Sequence, residues 1–480
     1  MIPGRWAWSG NSPNRFELTP GTTVLLLRPL FAKDNGRVAA LAVEHFRVCV
    51  IGAGPTGLTT LKNLADAGIC DVICHEAQDA TGGIWVFSQD PERPSVYESA
   101  HTISSKRLSQ FPDFPMPDEY PDYPSNAQIL AYMRAYEAHF DLGRHIRLNS
   151  RVETVTRQTD GRWKIEATRD GQAYVHTADE LIVCSGHHRA PVVPDLPGAF
   201  DGEQIHSVRY KRAQDYAGKR VLVVGGGNSA CDIAVALAPV ADHVSLSLRG
   251  PQVIIPKLVG GRPVDVQFKK LHKPIFHWAR GWLVEKIVRF TVGPYAHYGL
   301  PEPDFPFLSR HPTLNTDILE RIRHGKIQVR PAISSAQGPD IIFSDGARDQ
   351  YDTIIWGTGF SLGVPFLKQV SDDWDDVAQV PLFLRMLPET EPNLYFIGLV
   401  QPVGCIWVVA DLQARLAAAE ISGAWRRPAD IGARIARDMR RDEGRYKASR
   451  RHAIQIDIHE YTAEIEAELA RASKPVVTGG

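Results

Sequence analysis

The feature that most constrains this chain is a glycine-rich turn between an apolar run and an amphipathic stretch. Val48 to Gly52 has the character of a buried strand, and Gly52, Gly54 and Gly57 follow with GxGxxG spacing. Apolar residues at helical spacing come next, and a second apolar run ends at Glu76. This order of strand, glycine turn, helix, strand and acid predicts a dinucleotide-binding βαβ unit.

Each part of this unit has a mechanical task in holding a dinucleotide. Gly52 makes the tight turn, Gly54 lets the backbone approach a pyrophosphate, and Gly57 lets the helix pack closely on the strand. The start of the helix offers free N–H groups to the phosphates. Glu76 lies 19 residues after Gly57, where a carboxylate can accept hydrogen bonds from both hydroxyls of an adenosine ribose. The first unit therefore predicts a dinucleotide without a 2′-phosphate, and its pairing with the second unit, described next, suggests that this dinucleotide is FAD.

A second unit with the same spacing begins at Lys219 and ends differently. Arg249 lies 19 residues after Ala230, at the place that Glu76 has in the first unit. A carboxylate would repel a 2′-phosphate, whereas a guanidinium can bind it with two hydrogen bonds. The second unit therefore predicts NADPH. Its predicted cofactor-binding residues are Gly225, Gly227, Asn228, Ser229, Ala230 and Arg249.

Two further apolar runs bracket the second unit and suggest how the domains are arranged. Residues 180–186 and 351–359 each begin with polar residues and stop at small ones. We interpret both as strands of the first domain, so the fold class is α/β with two Rossmann-like dinucleotide-binding domains, the NADPH domain being inserted into the FAD domain. The predicted boundaries are 46–204 and 331–480 for the FAD domain, 205–330 for the NADPH domain with an insertion at 251–305, and 1–45 for an N-terminal extension of unknown role.

Charge and cysteine content exclude several classes of protein. The formal net charge is −1, which argues against a nucleic-acid partner. No apolar run is long enough to suggest a transmembrane segment. The cysteines are scattered, with none in a CxxC pair, which favours reduced thiols in a cytoplasmic protein; they are Cys49, Cys70, Cys74, Cys184, Cys231 and Cys405. No clustered Cys/His set is visible, so we predict no metal.

A stretch just before the second unit resembles a family fingerprint. Phe200, Gly202, His206 and Tyr210 fit FxGxxxHxxxY. From about residue 46 to 472 the chain resembles the flavin-containing monooxygenases, within the class B flavoprotein monooxygenases, and it looks like a soluble bacterial-type member. Type I Baeyer–Villiger monooxygenases have Trp at the last fingerprint position, so Tyr210 favours the flavin-containing branch.

This resemblance implies the chemistry as well as the cofactors. NADPH would reduce FAD, and O2 would then give a C4a-(hydro)peroxyflavin that oxygenates a soft nitrogen or sulfur atom of a small molecule. One alternative is a Baeyer–Villiger monooxygenase acting on a ketone. An alternative of another class is an NADPH oxidase or a redox-sensing flavoprotein that oxygenates nothing. A homodimer is possible.

The resemblance also adds residues beside the flavin. Ile103 stands where the family has an asparagine that is implicated in holding oxidised nicotinamide and the peroxide, and isoleucine offers no hydrogen bond. A neighbour such as His101, Thr102 or Ser104 could substitute for it, or the peroxide is less well kept. The other residues that we place in the flavin site are Pro55, Thr56, Gly83, Trp85, Val152 and Gln401.

The insertion at 251–305 is basic and aromatic, and three interpretations compete. It could be a lid over the substrate channel, a membrane-surface patch, or a solvated helix with an ordinary buried face. We favour the helix, with Leu283, Ile287 and Phe290 buried. In the lid interpretation, Trp278 and Trp282 would contact an apolar substrate.

Overall fold

A computed structural model gives the fold of the 480-residue chain. The structure describes residues 43–270, 277–307, 309–371, 374–375, 377–447, 449 and 452–472, with the backbone alone at 270 and 277–280. The prediction for the extension at 1–45 therefore falls almost wholly outside the described residues.

The described residues form the following strands and helices. The strands begin, in chain order, with β1 (Glu44–Ile51), β2 (Val72–His75), β3 (Ile146–Arg147), β4 (Ser150–Arg157), β5 (Trp163–Arg169), β6 (Gln172–Val183), β7 (Ala190–Pro191), β8 (Gly198–Phe200), β9 (Glu203–His206), β10 (Arg220–Val224) and β11 (His243–Ser247). They continue with β12 (Ile254–Ile255), β13 (Leu258–Val259), β14 (Arg262–Pro263), β15 (Thr313–Leu314), β16 (Gln328–Arg330), β17 (Ile333–Gly338), β18 (Asp340–Phe343), β19 (Arg348–Gln350), β20 (Thr353–Trp356), β21 (Phe360–Ser361), β22 (Leu394–Phe396), β23 (Gln401–Pro402) and β24 (Gln455–Ile456). The helices are α1 (Pro55–Asp66), α2 (Lys106–Ser109), α3 (Asn126–His139), α4 (Asn228–Leu237), α5 (Val264–Lys270), α6 (His277–Val292), α7 (Asp317–Arg323), α8 (Lys368–Ser371), α9 (Ile406–Ile421), α10 (Ile431–Asp442) and α11 (Ile458–Leu469).

The first sheet has the order β3-β2-β1-β6-β5-β4, and β22 also pairs with β6. Strands β1, β2, β3, β6 and β22 are parallel, whereas β4 and β5 form an antiparallel meander with β6. The two faces of β1 enter different cores. Val48 and Val50 pack in the core that holds the apolar face of α1, and Cys49 and Ile51 pack in the core formed with β4 and β5. Burial of both faces explains why the second half of β1, from Val48 to Ile51, is continuously apolar.

The second sheet has the parallel order β16-β11-β10-β20-β9. Strand β20 lies between β10 and β9, so the interpretation of residues 351–359 as a strand of the first domain is wrong. The strand that returns to the first sheet is β22. The second sheet runs from Glu203 to Trp356, beyond the predicted limit at 330. An apolar run buried on both faces fits the parallel part of either sheet, so its composition could not identify the sheet.

The chain leaves and re-enters the first half at one place. Strand β7 pairs antiparallel with β21, with Phe360 opposite Pro191 and Ser361 opposite Ala190. The second sheet lies between these two strands in the sequence. A further sheet, with the order β19-β18-β17-β8, belongs to the same interval. The strand order therefore supports the predicted insertion of one dinucleotide-binding half into the other.

Helix α6 lies in the insertion, but its buried face differs from the prediction. Val284 and Val288 are 2% and 0% exposed and pack in the core of the second half, whereas Phe290 is 93% exposed. Leu283 and Ile287 are half-buried. Two apolar stripes one residue apart run along this helix, and periodicity alone cannot choose between them. Trp282 is exposed, and the side chain of Trp278 lies outside the described residues.

Helices α9, α10 and α11 close the first half. Helix α9 packs on α1 in the same core as Val48, and α11 packs on α9. Within the described residues, no helix combines the length and the apolarity that crossing a lipid bilayer requires.

Candidate functional site

The first glycine turn has no room for side chains. Gly52 has φ +104°, and a Cβ on it would lie 2.7 Å from the carbonyl oxygen of Cys184. A Cβ on Gly57 would lie only 1.9 Å from the carbonyl oxygen of Gly52. Gly54 is the N-cap of α1 and has no side chain with which to cap the helix, and Pro55 follows at the first helical position. The turn therefore leaves the first-turn N–H groups of α1 to a ligand.

Glu76 follows β2 and is turned towards this loop. Its two carboxylate oxygens accept hydrogen bonds from the N–H groups of Ala53 (2.8 Å) and Gln78 (2.9 Å). The carboxyl group is buried, and burial raises its pKa. The carboxylate of Glu76, which is predicted to bind a ribose, is therefore held beside the glycine turn.

The segment after Glu76 approaches the same turn. Gly82 donates its N–H to the carbonyl oxygen of Ala53 (3.0 Å), and a Cβ on Gly83 would lie 3.0 Å from the Cα of Gly54. The ring of Trp85 packs edge-on against Trp407, with centroids 5.9 Å apart. The structure thus brings Gly83 beside the dinucleotide loop, as the sequence predicts.

Three other predicted flavin-site residues have defined places. Thr56 donates its hydroxyl to the carbonyl oxygen of Cys184 (3.3 Å). Gln401 is half-buried in β23, which pairs with β24. Val152 is buried in the core with Ile51. The roles of these residues towards a flavin stay predictions.

The second glycine turn repeats the geometry of the first. Gly225 has φ +129°, and a Cβ on it would lie 2.4 Å from the carbonyl oxygen of Gly357. Gly227 is the N-cap of α4, and Ala230 is fully buried where that helix meets the sheet. Arg249 comes two residues after β11 and is exposed. Ser229, in the first turn of α4, is exposed as well.

Residues that the sequence did not single out hold this second turn. Thr313 donates its hydroxyl to the carbonyl oxygen of Gly226 (2.5 Å), and Gln252 donates to the Thr313 Oγ1 (3.2 Å). The amide oxygen of Asn228 accepts the N–H of Leu314 (2.9 Å). Gln252 lies in the insertion, and Thr313 and Leu314 lie just beyond it. No sequence pattern indicated that these residues contact the second turn.

The fingerprint residues lie where the halves join. His206 ends β9, is buried, and its Nε2 hydrogen-bonds to the carbonyl oxygen of Gly359 (3.0 Å). A Cβ on Gly202 would overlap the ring of Phe200 and the carbonyl oxygen of Asp352. Tyr210 is buried, and its ring contacts that of Tyr97 at 5.8 Å. His206 therefore links β9 to the segment that follows β20, and burial lowers its pKa.

The polar side chains around Ile103 differ in whether they have a hydrogen-bond partner. His101 is exposed and its Nδ1 hydrogen-bonds to the carbonyl oxygen of Ser99 (2.9 Å), and the hydroxyl of Ser104 hydrogen-bonds to that of Ser109 (2.8 Å). Thr102 is buried, and its hydroxyl has no hydrogen-bond partner among the described residues. Ile103 itself is half-buried.

Comparison with known proteins identifies the family. Residues 45–478 match the family model described as flavin-binding monooxygenase-like. Flavin-containing monooxygenase 5 of Homo sapiens is 35% identical over 439 residues, covering 86% of this chain and 80% of the relative. Dimethylaniline monooxygenase [N-oxide-forming] 2 of Rattus norvegicus is 33% identical over 445 residues, covering 88% and 82%.

The chain belongs to the flavin-containing monooxygenase family. A solved S-allyl-L-cysteine S-oxygenase from Allium sativum shares the fold, with a TM-score of 0.65, 19% identity and coverage of 91% of each chain. The protein is a flavin-dependent monooxygenase that uses FAD, NADPH and O2. The prediction of two Rossmann-like halves is confirmed.

The two glycine turns of this flavin-containing monooxygenase fit its two cofactors. The first turn leaves helix N–H groups open next to a buried acid, which suits the pyrophosphate and the ribose of FAD. The second turn has the same open helix start and ends at an exposed arginine, which suits a 2′-phosphate. The residues of the two turns therefore fit the two dinucleotides, and the role of each residue stays a prediction.

The fold also brings together three residues that are far apart in the sequence. Cys49, His75 and His176 are all buried, and their ligand-type atoms lie within 4.8 Å of one another. The Nδ1 of His75 lies 2.8 Å from both the Ser150 Oγ and the Tyr174 hydroxyl, and its Nε2 lies 3.3 Å from the Nε2 of His176. Burial first, then other positive charges including Arg147, lower the pKa of both histidines. The positive charges that lower the pKa of the histidines would also repel a metal cation in this cluster. Both nitrogen atoms of the His75 imidazole already lie within hydrogen-bond distance of a partner.

Proposed function

We propose that this flavin-containing monooxygenase transfers one oxygen atom from O2 to a nitrogen or sulfur atom of a small molecule. The observation that carries the proposal is the 33% identity, over 88% of this chain, to a relative named for forming an N-oxide. Tyr210, rather than tryptophan, at the end of the fingerprint supports the same branch. Baeyer–Villiger oxygenation of a ketone is the alternative that these two observations disfavour.

In this proposal the side chains bind and orient the cofactors. Glu76 holds the adenosine ribose of FAD, and the N-terminal turn of α1 faces the pyrophosphate. Arg249 pairs with the 2′-phosphate of NADPH. When bound, FAD accepts hydride from NADPH and supplies the oxygen-transfer chemistry. The oxygen transfer needs no nucleophilic side chain of the protein, so the pocket has only to orient the substrate and exclude water.

One residue favours a second candidate function. Ile103 has no polar group to offer at the position where the family has asparagine. A flavoprotein that oxidises NADPH, releases hydrogen peroxide and oxygenates nothing would match that loss. The experiment described next therefore also tests the NADPH oxidase or redox-sensing alternative.

The experiment offers a tertiary amine, a sulfide and a ketone in parallel to the FAD-loaded protein with NADPH and O2. Product mass and the position of the added oxygen are compared with NADPH consumed and hydrogen peroxide released. We expect an N-oxide or S-oxide that accounts for most of the NADPH consumed. A lactone or ester from the ketone alone would establish the Baeyer–Villiger alternative. Peroxide equal to the NADPH consumed, with no product, would establish the oxidase.

We further propose a cytoplasmic homodimer. Within the described residues, which include all six cysteines, none forms a disulfide, and all but Cys70 are buried, which supports a reducing compartment. The dimer is carried over from the family resemblance. Sedimentation of the FAD-loaded protein at several concentrations would test it, and a mass equal to that of one chain throughout would contradict it.

A further inference from the structure

Residues 93–98 of the first half, which we call the linking segment, contact the second half through Tyr97. The Tyr97 hydroxyl donates a hydrogen bond to the Oδ2 of Asp232 (2.8 Å). Asp232 lies in α4, the helix that begins at the second glycine turn. The other carboxylate oxygen, Oδ1, accepts a hydrogen bond from the side-chain amide of Asn315 in the second half (2.6 Å). The two oxygens of this carboxylate are therefore bonded to different halves of the molecule.

A buried lysine of the second half holds the same linking segment. Lys211 directly follows the fingerprint and is 3% exposed. Its ammonium donates to the carbonyl oxygen of Arg93 (2.8 Å) and to the hydroxyl of Ser95 (2.9 Å). The ammonium also donates to the carbonyl oxygen of Val208 (3.1 Å), and the Lys211 carbonyl oxygen accepts the N–H of Glu98 (2.9 Å). An ammonium has three N–H donors, so all of them are engaged here.

The linking segment is also tied to the surroundings of the first glycine turn. The N–H of Val96 donates to the carbonyl oxygen of Ile84 (2.8 Å). Ile84 directly follows Gly83, whose backbone approaches that turn. The side-chain amide of Asn126, at the start of α3, donates to the carbonyl oxygen of Tyr97 (3.3 Å). The linking segment therefore connects the surroundings of the first glycine turn with the helix that starts at the second.

The distance between the two cofactors depends on how the halves are placed. Each glycine turn belongs to its own half, and hydride transfer from nicotinamide to flavin requires the reacting atoms to lie about 3–3.5 Å apart. An error of about 1 Å in such a placement can lower a rate about a hundredfold. Residues that connect the halves can therefore control the reduction of the flavin without contacting either ring.

We infer that Tyr97, Asp232 and Lys211 are positioning residues that fix the placement of the two halves for hydride transfer from NADPH to FAD. The inference rests on the proposed function in that NADPH reduces the flavin. It does not depend on which substrate is oxygenated, because the reduction precedes the reaction with O2.

Anaerobic stopped-flow reduction of the FAD-loaded protein by NADPH tests the tyrosine. Tyr97→Phe removes the hydroxyl and keeps the ring, and we expect the limiting rate of flavin reduction to fall about tenfold. NADP+ affinity, FAD content and melting temperature should stay close to those of the wild type. Tyr298→Phe is the matched control, because Tyr298 is also half-buried and its hydroxyl donates to the carbonyl oxygen of Val292 within the second half (2.9 Å). It should leave the rate unchanged.

A measurement without turnover reports the placement of the two rings. A nicotinamide stacked on a reduced flavin gives a long-wavelength charge-transfer absorbance, which weakens as the rings separate. The flavin is reduced with dithionite, and NADP+ is then added to saturation. We expect this absorbance to be weaker in Tyr97→Phe than in the wild type, and unchanged in Tyr298→Phe.

The acid and the lysine are tested by further variants. Asp232→Ala removes the acceptor and should slow the reduction about as much as Tyr97→Phe does, whereas Asp232→Asn keeps an oxygen for Tyr97 and should restore most of the rate. Combining Tyr97→Phe with Asp232→Ala should add little further loss, because the two side chains act through one contact. Lys211→Met keeps the length of the side chain but removes its three hydrogen bonds, and it should also slow the reduction.

A limiting rate and a charge-transfer absorbance equal to those of the wild type in Tyr97→Phe would overturn the inference. A loss of NADP+ affinity with an unchanged limiting rate would also overturn it, because Tyr97 would then serve binding and not placement. Losses that multiply in the double variant would contradict a shared role of Tyr97 and Asp232. Absence of an oxygenated product would count against the proposed function alone, since both measurements precede the reaction with O2.

Discussion

At the scale of single residues, two side chains at equivalent places distinguish the two nucleotide sites. Glu76 is buried and accepts two backbone N–H groups, so it is fixed before any ligand binds. Arg249 is exposed, so burial does not hold its side chain in place. A fixed carboxylate suits two ribose hydroxyls, whereas a guanidinium suits a phosphate. The opposite charges support the proposed assignment of FAD to the first turn and NADPH to the second.

Replacing Arg249 tests this assignment. Arg249→Ala should weaken NADPH binding by about 1–3 kcal/mol, because a charge-assisted hydrogen bond to the 2′-phosphate is lost. NADH, which lacks that phosphate, should bind almost as before. Binding constants for both dinucleotides check this. Arg437→Ala, at an exposed residue of α10, is the control, and equal losses for NADPH and NADH would refute the role of Arg249.

At the scale of elements, α6 shows how one helix can carry two apolar stripes. Val284, Val288 and Val292 face the core of the second half, and Phe290 faces outward. Large apolar residues usually contribute more to burial than valine does. Here the neighbouring elements fix the rotation of the helix, and the valines are the residues that meet the core.

The stability of two α6 variants checks which face is buried. Val288→Ala should lower the free energy of unfolding by about 2–3 kcal/mol, because it removes buried methyl groups and leaves a cavity. Phe290→Ala should change it by less than about 0.5 kcal/mol, because the ring is almost fully exposed. Denaturant unfolding of both variants gives the comparison. The reverse order would mean that the predicted face was right.

At the scale of the whole molecule, burial of histidines couples stability to pH. Burial lowers the pKa of His75 to about 3, and those of His176 and His188 to about 4. It also lowers the pKa of His187 and of His206. Below the ordinary histidine pKa of about 6.5, the unfolded chain therefore binds protons that the folded chain does not. The contribution of these buried histidines to stability is therefore full above about pH 6.5 and is lost progressively as the pH drops towards 4.

Removing one of these histidines should flatten the pH dependence. We expect the loss of unfolding free energy between about pH 7 and pH 5 to be smaller by about 2 kcal/mol in His176→Phe than in the wild type. Denaturant unfolding at several pH values measures that slope. Thr156→Val, which removes no titrating group, should keep the wild-type slope. An unchanged slope in His176→Phe would show that His176 is protonated alike in both states.

Local sequence determined the two nucleotide turns of this protein. Gly52 and Gly225 have φ angles of +104° and +129°, and a Cβ on Gly57 would lie 1.9 Å from the carbonyl oxygen of Gly52, so these steric limits act within the turns themselves. The strand-end residues Glu76 and Arg249 follow from the same local geometry. For this reason the turns and their two cofactors could be predicted without the fold.

Tertiary structure alone decided which sheet takes β20, which face of α6 is buried, and which polar groups near Ile103 are left unused. In each of these cases the sequence permits more than one arrangement of similar local energy. The choice depends on partners far along the chain, such as β10 for β20 and Lys257 for Thr102. Packing and hydrogen bonding between distant segments are set by their shapes in space, and no periodicity within a segment records them.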